Sequence, residues 1–247
     1  MALVDELIAE LVPDVTIPEG IDKDKLFRGL LAVQEPQEFS PAFYQKQDRY
    51  LQDQLRAKGI TKLEDLKPVS DHLYLWQGDI TTLEVDGIVN AANIQMLGCF
   101  IPNHACIDNA IHSQAGLQLR LACHRLMTEQ GHLEKIGQAK ITLGYNLPAN
   151  YVIHTVGPII QNDVSPIDEG LLASCYQSCL ELALAHKLES LAFCCISTGE
   201  FRFPNQLAAE IAVKTVRAFV KEHPQLKIVF NVFKDEDLAI YQQLLVC

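Results

Sequence analysis

Hydrophobic and polar positions follow two different rhythms along the chain. In residues 1–70 apolar residues recur at helical spacing, first in Leu3-Val4-Asp5-Glu6-Leu7-Ile8-Ala9-Glu10-Leu11 and again in Asp24-Lys25-Leu26-Phe27-Arg28-Gly29-Leu30-Leu31, with prolines at 13, 18, 36 and 41 between the runs. Nothing in that stretch alternates as a half-buried strand does. From Leu73 onward short apolar runs alternate with longer amphipathic ones. This predicts strands at Leu73–Trp76, Gly87–Asn90, Ala139–Leu143, Tyr151–Thr155, Leu191–Ile196 and Ile228–Val232, with helices between several of them. Asn205 opens one helix, in which Leu207, Ile211, Val213, Val216 and Val220 recur near helical spacing behind Pro204, a residue preset for a first turn. Asp235-Glu236-Asp237 opens a last one, its acids suited to a positive helix N-terminus. Such βα alternation predicts an α/β fold on a largely parallel, helix-covered sheet. A helical extension at 1–70 precedes the main domain at 71–247, and no internal repeat is found.

Composition narrows the class. In 247 residues the hydrophobic share is 49% and the charged share 21%, values of a globular chain that exclude disorder and low-complexity architectures. The net charge of -11 has the wrong sign for gripping a nucleic-acid backbone. No basic patch hides in the average: residues 1–70 carry 9 Lys and Arg against 13 Asp and Glu, and the remainder 11 against 18. An anion site would therefore rely on backbone N–H groups and helix N-termini. No apolar run approaches the roughly 20 residues of a membrane span. The start Met1-Ala2-Leu3-Val4-Asp5-Glu6 lacks a secretory signal's basic start. A soluble protein of a reducing, cytoplasmic compartment is expected, its eight cysteines unpaired and Cys194-Cys195 inside a buried strand.

Five segments carry candidate chemistry. Gln77-Gly78-Asp79-Ile80-Thr81 follows the first strand, and Asp79 either accepts from an amino group such as adenine's or caps a turn. Gly87-Ile88-Val89-Asn90-Ala91-Ala92-Asn93 ends a buried strand in two amides, placed where open α/β sheets bind ligands; they either meet sugar hydroxyls or brace the loop. Cys99, His104 and Cys106 form a C-x4-H-x-C cluster that suits Zn²⁺, against the alternative of core thiols. If no fourth protein ligand arrives, the three leave a position open for water or substrate, as in a catalytic zinc site. The other six cysteines (Cys123, Cys175, Cys179, Cys194, Cys195 and Cys247) read mostly as small hydrophobes, and His112 and His124 as polar helix residues. Ile196-Ser197-Thr198-Gly199-Glu200-Phe201-Arg202-Phe203-Pro204 runs from a strand into a helix, a turn whose N–H groups can wrap a diphosphate. In Phe230-Asn231-Val232-Phe233 an aromatic at a strand end can stack on a base, although core packing is the favoured reading.

Taken in order, Gly78-Asp79-Ile80-Thr81, Asn90-Ala91-Ala92-Asn93, Ile107-Asp108-Asn109-Ala110-Ile111-His112 and Ile196-Ser197-Thr198-Gly199 resemble the macrodomain family over residues 73–247. The likeness is greatest to zinc-dependent bacterial protein-ADP-ribose hydrolases, which carry a Cys/His/Cys loop and a helical N-terminal extension. The resemblance implies a three-layer α/β/α sandwich with a mixed, largely parallel sheet, and ADP-ribose as ligand. It puts Asp79 and the Ile80 backbone at the adenine, Phe233 stacked on it, and Ser197, Thr198, Gly199, Glu200 and Phe201 around the diphosphate. Asn93 and Asp108 would face the distal ribose as the catalytic pair, with Asn90, Ile107 and Asn109 beside them and one zinc on Cys99, His104 and Cys106. The chain departs from most hydrolase macrodomains where a glycine run is replaced by Cys99-Phe100-Ile101-Pro102-Asn103-His104-Ala105-Cys106, and at Arg202, which either meets phosphate or substrate protein or is solvated.

The implied activity is removal of mono-ADP-ribose from a modified protein. The resemblance further implies, as the modified partner, a lipoylated carrier protein that a sirtuin-like transferase has ADP-ribosylated. The rival expectation is an ADP-ribose-binding reader whose zinc is structural.

Overall fold

A computed structural model of the chain describes residues 2–246. Three helices come first, α1 (Leu3–Leu11), α2 (Lys23–Val33) and α3 (Pro41–Lys58). Asp22 and Ser40 cap the second and third by accepting from Lys25 N and Phe43 N, and Pro41 starts α3. Their apolar faces meet in a small core of Leu7, Ile8, Phe27, Leu31, Phe43 and Leu51.

Two short strands lie where the sequence showed no alternation. They are β1 (Thr61–Lys62), paired with β4 (Leu83–Glu84), and β2 (Pro68–Ser70) at the edge of the main sheet. All three residues of β2 are exposed, so no hydrophobic pattern marked it, and its leading proline fits an edge strand.

The seven-stranded sheet has the order β2-β3-β9-β8-β5-β7-β6, with β3 (Leu73–Gln77), β5 (Gly87–Ala91), β6 (Ala139–Leu143), β7 (Tyr151–Thr155), β8 (Ser190–Phe193) and β9 (Lys227–Val232). The five strands from β3 to β7 are parallel, and antiparallel pairing is confined to the edges β2 and β6. The expected mixed, largely parallel sheet is thus present, and each predicted strand falls within three residues of its observed bounds. The largest difference is β8, which ends at Phe193 rather than Ile196. Cys194 and Cys195 follow the strand as free thiols, and the chain turns at Ser197 with φ +65. The seven cysteines described are all free, and Cys247 lies outside the described residues.

Helices α4 (Ile107–Ala115) and α5 (Leu117–Gln130) cover the face presented by Asn90 and His154. The other face carries α6 (Pro166–Ala185), α7 (Asn205–Glu222) and α8 (Asp235–Val246), packed side by side. The main core lies between the layers, around residues such as Ile88, Val89, Val152, Tyr176, Phe193 and Phe230. Leu117 at the start of α5 belongs instead to the core of the first three helices, so the extension is built against the α4–α5 side. No helix is long and apolar enough to cross a membrane among the described residues.

Candidate active site

Because β3, β9, β8 and β5 run parallel and adjacent, the loops after them emerge along one edge of the sheet. Asp79, Phe233, the 197–201 turn and Asn93 are carried there by separate strands, in the crevice where open sheets bind ligands.

Asp79 starts a one-turn 3-10 helix, Ile80–Thr82. Its Oδ1 accepts from Thr81 N at 3.0 Å and Thr81 Oγ1 at 2.6 Å, while Oδ2 pairs with Lys58 Nζ at 3.3 Å. Burial works against the charge, but those hydrogen bonds and Lys58 outweigh it and hold the carboxyl below its ordinary range. The capped-turn reading of Asp79 is therefore realised through Oδ1, while Oδ2 holds the ion pair with Lys58. Ile80 is a core residue.

Asn90 lies fully buried on β5, in register with His154 on β7. Its Nδ2 donates to Asp108 Oδ1 at 2.8 Å and lies 3.2 Å from His154 Nδ1. Asn93 donates through Nδ2 to Gly98 O at 3.0 Å and to Asp108 Oδ2 at 3.3 Å, and its Oδ1 accepts from Gln95 N and Met96 N. Both oxygens of Asp108 are thus fixed by amides. Asp108 is only 6% exposed, and burial pushes its carboxyl up to about 6, restrained by Asn90, Arg120 and Asn93.

Asp108 stands in the first turn of α4, two residues beyond Cys106, whose Sγ accepts from Asn109 N at 3.4 Å as the helix cap. Asn109 faces back into the loop, donating to Ile101 O at 2.9 Å and Cys99 O at 3.5 Å. This draws the half-buried Cys99, His104 and Cys106 together, with one donor atom of each within 4.8 Å of the others. Cys99 Sγ lies 3.6 Å from His104 Nδ1, and His104 Nε2 lies 3.6 Å from Glu200 Oε1. The set fits a zinc ion chemically: two sulfurs, and an imidazole offering one nitrogen while a carboxylate faces the other, as metal-bound histidines commonly have it. Burial first, then Cys99 and Asp108, push the Cys106 thiol up to about 12, although Asn109 N–H pulls the other way.

At the 197–201 turn, Thr198 Oγ1 donates to Cys195 O, Phe203 N to Ser197 O and Arg202 N to Gly199 O. The N–H groups of Gly199, Glu200 and Phe201 meet no protein acceptor among the described residues. Ser197 Oγ is buried without a partner among the described residues. Gly157 lets the turn approach β7's exit, since a Cβ there would overlap Ser197 Oγ. Arg202 is exposed, with φ +58. Phe233, for which core packing was the favoured reading, is instead 76% exposed beyond β9, while Phe230 fills the core.

A scan against family models matches the macro domain over residues 89–212. A protein-ADP-ribose hydrolase of Treponema medium is 54% identical over 237 residues, covering 94% of this chain and 91% of its own. The chain belongs to the macro domain family. A protein-ADP-ribose hydrolase of Staphylococcus aureus (strain MSSA476) is 53% identical, covering 89% and 83% of the two chains. Among solved structures, the Trypanosoma brucei macrodomain in complex with ADP-ribose superposes with a TM-score of 0.68 at 32% identity, covering 86% of this chain and 93% of that one.

Around Asp108 this macro domain also places residues whose surroundings the sequence did not reveal. His112, read as a polar helix residue, is buried with Nε2 3.6 Å from Asp108 Oδ1. Its helical spacing from Asp108 could have flagged the pair. Burial keeps its imidazole and that of His154 neutral, the latter with pKa lowered to about 3. His154 reaches Thr142 Oγ1 at 2.9 Å and Cys123 Sγ at 3.7 Å, forming a polar layer behind Asp108. His124 is exposed on α5, as read. A groove of about 470 Å³ between the extension and α4 is lined by Asp79 and His104 together, with Arg28, Tyr50 and Lys58 on its extension side.

Proposed function

We propose that this macro domain is a protein-ADP-ribose hydrolase that releases mono-ADP-ribose from a modified protein side chain, with one zinc ion held by Cys99, His104 and Cys106. The observation that carries this reading is the Asp108 carboxylate, fixed on both oxygens by Asn90 and Asn93 and standing two residues beyond Cys106. The relatives named protein-ADP-ribose hydrolase support the hydrolase part of this reading across nine-tenths of the chain.

Asp79 and the Ile80 backbone receive the adenine, Phe233 stacks on it, and Gly199, Glu200 and Phe201 donate backbone N–H groups to the diphosphate. Asn93 and Asp108 meet the distal ribose. Water adds to the anomeric carbon as the bond to the side-chain atom breaks; one water proton leaves with the side chain and the other stays on the new ribose hydroxyl. Asp108 orients that water, because Asn90 and Asn93 occupy one site on each oxygen and leave lone pairs to accept from it. Bound at its three ligands, zinc supplies a Lewis acid. Such positioning lowers the barrier through pre-organised geometry.

Asn93→Ala combined with Asp108→Ala is expected to slow ADP-ribose release from a mono-ADP-ribosylated protein by about 10²-fold or more while free ADP-ribose still binds. Wild-type protein that binds ADP-ribose and releases none would instead be a reader.

A further inference from the structure

We propose that Arg120 is a positioning residue that makes the N-terminal extension part of the active-site loop. The inference rests on the reading of residues 93–108 as the catalytic end of the site, and deepens it.

Arg120 lies on α5, only 2% exposed, with its guanidinium 4.4 Å from the centroid of the Phe100 ring. Its Nε donates to Leu97 O at 2.7 Å, while Nη1 donates to Leu31 O at 3.0 Å and to Gln34 O. Those last two carbonyls close α2. That helix has no basic residue in its last turn, and Gln34 follows it in extended conformation, so its terminal carbonyls depend on a partner from elsewhere. Arg120 is that partner, a cation at the negative end of the helix.

The same guanidinium holds the entry to the Cys/His loop. Side chains pin a run of loop carbonyls: Arg120 takes Leu97 O, Asn93 takes Gly98 O, and Asn109 takes Cys99 O and Ile101 O. Arg120 is the member of that set whose other hand grips the extension. α2 also touches the far half of the loop, where a Cβ on Gly29 would come within 2.9 Å of Asn103 Nδ2. The loop that replaces a glycine run is therefore shaped from outside the sheet domain. Planar, forked donors of this reach are a property of arginine that lysine lacks.

A second buried clasp provides the comparison. Gln47 on α3 is fully buried, accepts from Leu117 N at 3.0 Å and donates to Gln118 Oε1 at 2.6 Å, joining extension to α5 without touching residues 97–109. Arg120→Met, Arg120→Lys and Gln47→Ala should each lower the melting temperature. Measured below that melting, Arg120→Met is expected to slow ADP-ribose release by at least about tenfold and to weaken ADP-ribose relative to ADP in calorimetry. Arg120→Lys should fail to restore either. Affinity for ADP, which lacks the distal ribose, should stay within about twofold, and Gln47→Ala should leave release and both affinities within that range. An ADP-ribose to ADP affinity ratio unchanged in Arg120→Met, or a loss of release no larger than in Gln47→Ala, overturns the proposal. If the wild type binds ADP-ribose but releases none, the hydrolase reading falls while the affinity ratio still decides on Arg120.

Discussion

Asn93 and Asn109 show how much of this site is made by single amides. Asn93 holds the Asp108 carboxylate and the Gly98 carbonyl with one Nδ2 while its Oδ1 organises the turn at Gln95 and Met96. Asn109, carried over from the family as a ribose neighbour, spends its side chain on the carbonyls of Cys99 and Ile101. Phe233 is the opposite case, a large ring that the fold leaves in solvent. Stacking a base on an aromatic ring is worth about 1–3 kcal/mol, so Phe233→Ala is expected to weaken ADP-ribose binding by about 5- to 150-fold with little change in melting temperature. Calorimetric titration beside a thermal melt checks both halves; a destabilised protein would mean the ring packs rather than waits for a ligand. Residue types at strand ends were legible in the sequence. Partnerships such as Asn90 with His154 were not, because they depend on the register of two strands separated by more than sixty residues.

At the scale of elements, the strands were readable because both faces of a parallel sheet are buried and each strand is a run of apolar residues. The short edge pieces β1, β2 and β4 have no such signature, and β8 was overextended because Cys194, Cys195 and Ile196 are as apolar as the strand they follow. The turn after β8 depends on close approach: any side chain at Gly157 meets Ser197 Oγ. Gly157→Ala is therefore expected to push the 197–201 turn outward and to weaken ADP and ADP-ribose alike by about tenfold or more, a loss of about 1.4 kcal/mol or more. Equal affinities in the variant and the wild type would show that the turn does not bind the diphosphate.

Across the whole molecule, the sequence separated a helical extension from a sheet domain, and the contacts tie the two together. Leu117 of α5 sits in the extension's core, and Gln47 and Arg120 cross the boundary with buried hydrogen bonds. Phe43→Ala, in the extension, removes a side chain that is 1% exposed and should cost about 3–5 kcal/mol. For a chain of this length that lowers a single melting transition by about 6–20 °C. Two separate transitions in calorimetry would mean the extension folds on its own. The shared boundary places the Cys99, His104 and Cys106 loop between the extension and α4, and the proposed reaction centres on that loop. The most direct measurement is zinc content of the purified protein together with ADP-ribose release from a mono-ADP-ribosylated protein, before and after chelation. The account predicts one zinc per chain, release that stops when the metal is removed and returns when zinc is added, and a Cys106→Ser variant that neither holds zinc nor turns over. Undiminished release from protein stripped of all metal would contradict it.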